Sequence, residues 1–433
     1  MTVAADTIAE FVNRVGSDIG VEAVSLDEQR RERLSVDWAH MSPILTARLP
    51  AGLADVVVTP RTADEIAVVV QHAYDLDVPV TARGTGLGNY GQAIPLFGGV
   101  LIDVSECRQV VSIDDATVTA EAGVRMRDLE DALAEHDREL WMYPSTKGST
   151  LGGFLAGGSG GTGSLRHGTN ADGFVTALDV AAADGLPGLR HVEGPDTLPF
   201  VHAYGTTGII ARATVGIDPV HEWIAMFAAF DRFEDLVAAM RALVDDLPET
   251  PRLISGDEAL IASFLPRDKA IDPERLSLRA ILEGSTVDAA RAVVAKQGGD
   301  VLDVRPGMKG SDRVTSLSYN HTTFHMQKKK PDYWFHLEVG GDVLGDNADA
   351  VRAVYADSTL HLEKMPGTLG GMLMAPFVSE NDVYRGMDEL RALGVGIHSP
   401  HTWTLDRRID GIRAVLDSYD PKGLLNPGKL AAA

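Results

Sequence analysis

Glycine-dense loops and paired histidines are the parts of this sequence whose residue types and spacing could do chemistry. The first loop runs Arg83, Gly84, Thr85, Gly86, Leu87, Gly88, Asn89, Tyr90, Gly91, Gln92, and holds a literal G-x-G-x-x-G at Gly86, Gly88 and Gly91. As a nicotinamide fingerprint this motif must open a helix whose N-terminus receives a pyrophosphate. It does not, because Pro95 and the Gly98–Gly99 pair follow and forbid a helix. The loop therefore joins strand to strand. Successive N–H groups in glycine-permitted conformations still form an anion-binding nest, and Arg83 at its mouth adds a charge-assisted contact. A plain flexible turn is the alternative. The second loop opens at Pro144 and Ser145 and continues through Leu151, Gly152, Gly153, Ala156 and Gly157 to Gly161. It is too long and too small-residued for a connection inside a compact domain, where loops of this length are functional or disordered.

Histidine titrates near neutrality and suits proton transfer. One cluster is His398-Ser399-Pro400-His401-Thr402-Trp403, where Pro400 fixes the backbone and Trp403 offers an apolar wall. A surface turn is the alternative. The other is Asn320-His321-Thr322-Thr323-Phe324-His325, whose i, i+4 histidines share a helix face. No carboxylate follows at zincin spacing, so no metal site is expected. His361 and Glu363 are further candidates, and Arg407 and Arg408 suit either a carboxylate substrate or solvent.

The elements that position these residues are legible in outline. Asp55–Thr59 is a β-branched strand, and Thr62 caps a helix through Leu76 with Asp64 and Glu65 in its first turn. Strands follow at Val78–Thr81, Gly98–Val104 and Thr117–Ala122, with a helix at Val124–His136. Gly148–Gly168 reads as a loop, and Leu178–Ala183 and Ile209–Ile217 as strands. Beyond Pro219, strand-then-helix units recur: Trp223–Phe230 with Arg232–Leu247, then Leu276–Glu283 with Thr286–Gln297. They predict an α+β cap with helices on one face of an antiparallel sheet. Lys328–Lys330 reads as a loop before the strand Tyr333–Val339. Gly370–Pro376 is a strand, Glu380–Leu393 a helix, and Leu405–Tyr419 the final helix.

Composition bounds the partners. The 433 residues carry 39 Lys plus Arg against 62 Asp plus Glu, a formal net charge of -23. Such a surface repels phosphate backbones and anionic membranes, so nucleic acid is an unexpected partner. A chain this long predicts more than one domain. Cys107 is the only cysteine, which excludes a disulfide framework within the chain. No apolar run approaches the roughly 20 residues needed to span a bilayer. Met1–Asn13 lacks a signal-peptide pattern, and the expected location is cytoplasmic.

Four stretches together resemble the FAD-binding superfamily of vanillyl-alcohol oxidase and p-cresol methylhydroxylase, in its glycolate-oxidase-subunit and D-lactate dehydrogenase branch. They are Pro79–Val104, Leu151–Gly168, Tyr204–Ile210 and Asp420–Leu430. The resemblance implies a two-part FAD domain, residues 1–219 and 405–433, with a cap domain at 220–404. It implies pyrophosphate on Arg83–Gln92, the other side of the cofactor on Leu151–Gly163, adenine near Gly208 and Ile210, and Asn426 near the flavin ring. Covalently flavinylated members usually carry a histidine in the first glycine loop. None stands at 83–92, so non-covalent FAD is expected. The histidine-rich His-x-Gly-Asp-Gly-Asn-x-His stretch of metal-using members is missing, which disfavours a metal-held substrate. His398–Trp403 resembles the Pro-His-Trp of alditol oxidases.

The implied activity is oxidation of the CH–OH group of a small 2-hydroxy acid or polyol, with His401 as the first candidate base and His398, His321 and Trp403 beside it. An oxidase of phenolic or benzylic alcohols is a second reading, suggested by Trp403, Phe324 and Trp334. A non-catalytic flavin-binding protein and a nicotinamide enzyme are others. Oxygen, a quinone or a protein would serve as electron acceptor, and a homodimer is compatible with the sequence.

Overall fold

The apolar run Val56–Val58 is buried on both faces, as a central parallel strand must be. In the structure, a computed structural model that describes residues 3–431, it belongs to a four-stranded sheet in the order Val24–Ser25, Val56–Val58, Val100–Asp103, Val80–Arg83. The last three are parallel. Their crossover is the helix Ala63–Asp75: the Thr62 hydroxyl accepts from Glu65 N, and Ile66, Val69, Val70 and Ala73 face the core. The first glycine loop leaves the carboxyl end of Val80–Arg83, where open parallel sheets bind ligands.

A second sheet, six-stranded and antiparallel, is built around Ile209–Pro219, which pairs Thr117–Glu121 on one side and Val175–Ala181 on the other. Arg138–Leu140 and Arg190–Glu193 are strands of this sheet that the sequence reading lacked. The third sheet has eight antiparallel strands, all from Trp223 to His398. Helices Phe233–Asp245, Val287–Lys296 and Glu380–Ala392 bury their apolar faces in the same core as its central strands. The tail then returns to the first sheet: Val80 N donates to Leu424 O and Asn426 N to Val80 O.

Three local expectations are corrected. Gly148–Gly168 is no continuous loop, because it contains helices Leu151–Gly157 and Ser164–His167. Glycine is a poor helix former, but Leu151, Phe154 and Leu155 enter the core and the Thr150 hydroxyl caps Gly153 N, which outweighs propensity. Lys328 and Lys329 end the helix His321–Lys329 instead of forming a loop, where cations suit the helix dipole. The final helix begins at Ile409, not Leu405, because Arg408 takes a left-handed φ of 50°.

Candidate active site

The glycine loops and the cap sheet enclose a cavity of about 1000 Å³. One wall carries Arg83, Gly84, Thr85, Gly86, Leu87, Gly88, Asn89 and Gln92, with Pro144, Ser145, Gly153, Ala156 and Gly157 opposite. Among the described residues, the backbone N–H groups of Thr85 through Asn89 donate to no other part of the protein. Gly86 has φ +71°. A Cβ on Gly84 would lie 2.1 Å from Thr150 Oγ, so the two loops touch through a space only glycine leaves. A row of free donors on glycine-narrowed backbone fits a pyrophosphate.

Arg83 is on this wall, but its guanidinium donates to the carbonyls of Leu34 (2.9 Å) and Val36. It ties a strap of chain to the loop. From behind, Lys429 Nζ donates to Gly91 O at 2.6 Å and Asn426 Nδ2 to Gln92 O at 2.8 Å and Tyr204 O at 2.7 Å.

These contacts correct several expected cofactor positions. Asn426 is buried and does not reach the cavity wall; it clamps the loop. Leu151 is core, and Gly152 packs on Ala122. Gly208 packs on Phe200 and Val180, and Ile210 pairs with Val180 in the second sheet, so neither lines the cavity.

The cap wall carries the titratable groups. His398 faces Glu338 across paired strands: Nδ1–H donates to Glu338 Oε2 at 2.8 Å and Nε2–H to Asp406 Oδ1 at 3.2 Å. Burial opposes the charge, but the bonds to Asp406 and Glu338 raise this imidazolium to about 9. Burial likewise works against the Glu338 carboxylate, and His398 and the Tyr90 hydroxyl hold it well below the usual range. Asn320 Nδ2 donates to Glu338 Oε1 at 3.5 Å. With both nitrogens occupied and a proton on each, His398 is no base at neutral pH.

His321 is arranged differently. Its Nδ1–H donates to Ser316 O at 2.9 Å, which leaves the Nε2 lone pair free. Burial lowers its pKa, so the ring is neutral. Its ring lies on the cavity wall with His325, Phe324, Tyr319 and Arg313. Glu363 is on the same wall, accepting from Tyr319 N (2.8 Å) and paired with His361 Nε2 (2.7 Å). His361 itself is fully buried, donating also to Asp257 Oδ1 at 2.6 Å, and the two carboxylates overcome burial to raise it to about 9.

His401, the expected base, is not on the wall. Its Nδ1 meets Ser42 Oγ at 2.7 Å, the ring packs near Phe335 and Tyr384, and it is 2% exposed. Burial, then the neighbouring His336, pushes its pKa down to about 3. The strand ends at His398, and the turn through Pro400 sends His401 into the interior. Trp403 packs beside Leu45 and Tyr90, and Trp334 in a cap core cluster. The aromatics on the wall are Trp38, Tyr90, Phe154, Tyr204, Tyr319 and Phe324. Arg407 lines the cavity, whereas Arg408 turns away to Val201 O. Among the described residues no group of three or more His, Cys, Asp or Glu is arranged to hold a metal ion.

A family profile described as an FAD binding domain matches residues 54–186. The chain is 27% identical over 199 residues to D-lactate dehydrogenase of Archaeoglobus fulgidus, covering 44% of each protein. It is 30% identical over 229 residues to glycolate oxidase subunit GlcD of Bacillus subtilis, covering 48% of each. It thus spans about half the length of the curated relatives it matches. Its fold is similar to alkyldihydroxyacetonephosphate synthase, with TM-score 0.77 at 19% identity over 97% of this chain and 86% of that one. It is also similar to 4-ethylphenol oxidase from Gulosibacter chungangensis, with TM-score 0.68 at 17% identity over 99% and 97%.

Proposed function

We propose that this chain, an FAD-binding member of the superfamily of vanillyl-alcohol oxidase and p-cresol methylhydroxylase, oxidises the CH–OH group of a small 2-hydroxy acid. The observation that carries the proposal is one cavity lined both by a cradle of free backbone N–H groups and by a neutral histidine with an open lone pair. The similarity to a D-lactate dehydrogenase and a glycolate oxidase subunit supports the substrate class.

Bound FAD supplies the acceptor for the hydride that leaves the substrate carbon. Thr85–Asn89 would hold its pyrophosphate by backbone N–H groups, and Gly153–Gly157 would pack along it. His321 Nε2 takes the hydroxyl proton, and the Ser316 carbonyl steadies the imidazolium that results. Arg407, partly exposed on the wall, offers its guanidinium to the substrate carboxylate. Tyr90, Asn320 and His398 fix Glu338 as an acceptor toward a second substrate hydroxyl, which would admit polyols.

Trp38 and Phe324, edge to face at 6.2 Å, favour a second reading, in which a benzylic or phenolic alcohol stacks at this wall. Anaerobic mixing of the yellow protein with 2-hydroxy acids, polyols and benzylic alcohols decides between them. Bleaching by a 2-hydroxy acid is expected; bleaching by benzylic alcohols alone would overturn the first reading.

A further inference from the structure

We infer that His202 presents an Nε2–H donor to a negatively polarised ligand oxygen in the cavity, and that Ser159 and Arg407 hold it in that tautomer. The inference rests on the FAD and 2-hydroxy-acid reading for the identity of the ligand. His202 is 5% exposed, yet its ring is part of the cavity wall. Its Nδ1 lies 3.0 Å from Ser159 Oγ. Arg407 Nη1 donates to the same oxygen at 3.2 Å. A guanidinium only donates, so one lone pair of the hydroxyl is taken. Among the described residues the only acceptor the structure places on the hydroxyl proton is His202 Nδ1. A neutral imidazole that accepts at Nδ1 carries its own proton at Nε2.

Among the described residues that nitrogen has no hydrogen-bond partner within 3.5 Å, although the Gly158 carbonyl lies near enough to the ring to oppose the lowering of its pKa. A buried donor left unpaired is costly, so proteins leave one where a ligand completes it. The carboxylates on this side are already engaged, Glu338 and Asp406 both by His398, which stands 6.3 Å from His202 between ring centroids. Burial, then the charge of Arg407, lowers the imidazole to about 4, so the ring is neutral. The backbone is constrained to aim it. His202 and Tyr204 both adopt φ of 52°, and their N–H groups bond Leu155 O at 2.8 Å and Ala156 O at 2.9 Å. Left-handed conformations at two such residues mark stored strain, which clusters at functional sites. The ring therefore sits over the second glycine loop, between cofactor cradle and cap.

Two oxygens share the required chemistry: a pyrimidine carbonyl of the flavin, and the carboxylate of a 2-hydroxy acid, which Arg407 would grip as well. Holoprotein carrying His202→Ala, His202→Gln or Ser159→Ala distinguishes them. Without substrate, equilibration of the bound flavin against a reference dye reads the first source. Titration with oxalate, a carboxylate that cannot be oxidised here, reads the second through the flavin spectrum. We expect His202→Ala to shift the oxidised-to-reduced ratio or the oxalate Kd by about tenfold, the scale of one lost charge-assisted bond. His202→Gln, which keeps an N–H donor, should restore part of it, and Ser159→Ala should reproduce a fraction. Should His202→Ala fail to fold, Ser159→Ala and His202→Gln carry the test. Unchanged ratio and unchanged oxalate Kd in FAD-replete variants overturn the inference. A protein that shows the His202 effect but oxidises no hydroxy acid refutes the parent reading alone.

Discussion

Gly86→Val strikes the cofactor cradle at its narrowest point. Gly86 has φ +71°, and a Cβ there would lie 2.1 Å from Arg83 Nη2 and 2.6 Å from Nη1. Left-handed φ costs an L residue about 1–2 kcal/mol. Arg83 must also withdraw from Leu34 O and Val36 O, and a hydrogen bond to a charged group contributes about 1.5–3 kcal/mol. The free loop can relax and escape both costs, but bound pyrophosphate demands the native backbone. The penalty of about 2.5–5 kcal/mol therefore falls on binding, which weakens FAD by about 10² to 10³-fold or more at 1.4 kcal/mol per tenfold. Fluorescence titration of apoprotein with FAD measures this. Gly394→Ala is the control: it has φ +87° with nothing within 4 Å of its Cβ, so it tests backbone strain without a clash and should leave the Kd unchanged. A folded Gly86→Val protein with wild-type FAD affinity would refute the cradle.

His321→Asn should slow anaerobic flavin reduction by roughly 10²–10⁴-fold with FAD occupancy intact, as expected for loss of a general base. In the wild type, reduction should fall only on the acid side, below the ordinary imidazole range, because burial lowers the His321 pKa. His401→Asn should leave reduction near wild type and lower the melting temperature, since His401 lies in the interior against Ser42. Its folded pKa of about 3 lies below the ordinary imidazole value of 6.5, so the unfolded chain binds the proton first. Stability is then lost as pH falls from that value toward 3, and the variant's melting curve should be flatter there. His361 has the opposite sign: raised to about 9, it stabilises below its unfolded value and stops doing so as pH rises through 9, a loss that His361→Gln should abolish in alkaline melts. Acid precipitation should release intact FAD to the supernatant, because residues 83–92 hold no histidine and Cys107 is buried in the core away from the cavity. Colour retained by the pellet would refute non-covalent binding.

The cofactor side was legible because its chemistry is local. Alternating glycines at 84, 86 and 88 specify a backbone that can approach phosphate, and the valines of 56–58 specify a buried strand wherever the rest of the chain goes. The cap side is assembled from distant residues. Glu338 meets His398 only through the register of adjacent strands, and Tyr90 reaches Glu338 from the first glycine loop. Nothing near either residue in sequence announces the pairing. His398 and His401 stand three apart, and which faces the cavity depends on a turn that tertiary packing decides. His202 is signalled by neither motif nor period. Its left-handed backbone and its bond to Ser159 exist only in the fold. The terminal motif singles out Asn426 as a neighbour of the flavin ring, but in the fold its side chain serves the loop, because Gln92 O and Tyr204 O are the acceptors it meets.

The central claim is that a substrate C–H delivers its hydride to FAD in this cavity while His321 takes the hydroxyl proton. Anaerobic stopped-flow reduction with a 2-hydroxy acid, and with the same acid deuterated at C2, tests it most directly. Bleaching that slows on deuteration, and that nearly vanishes in His321→Asn while FAD occupancy holds, is the predicted result. A flavin that dithionite bleaches but no 2-hydroxy acid does, or one reduced at the wild-type rate by the His321→Asn protein, would contradict it.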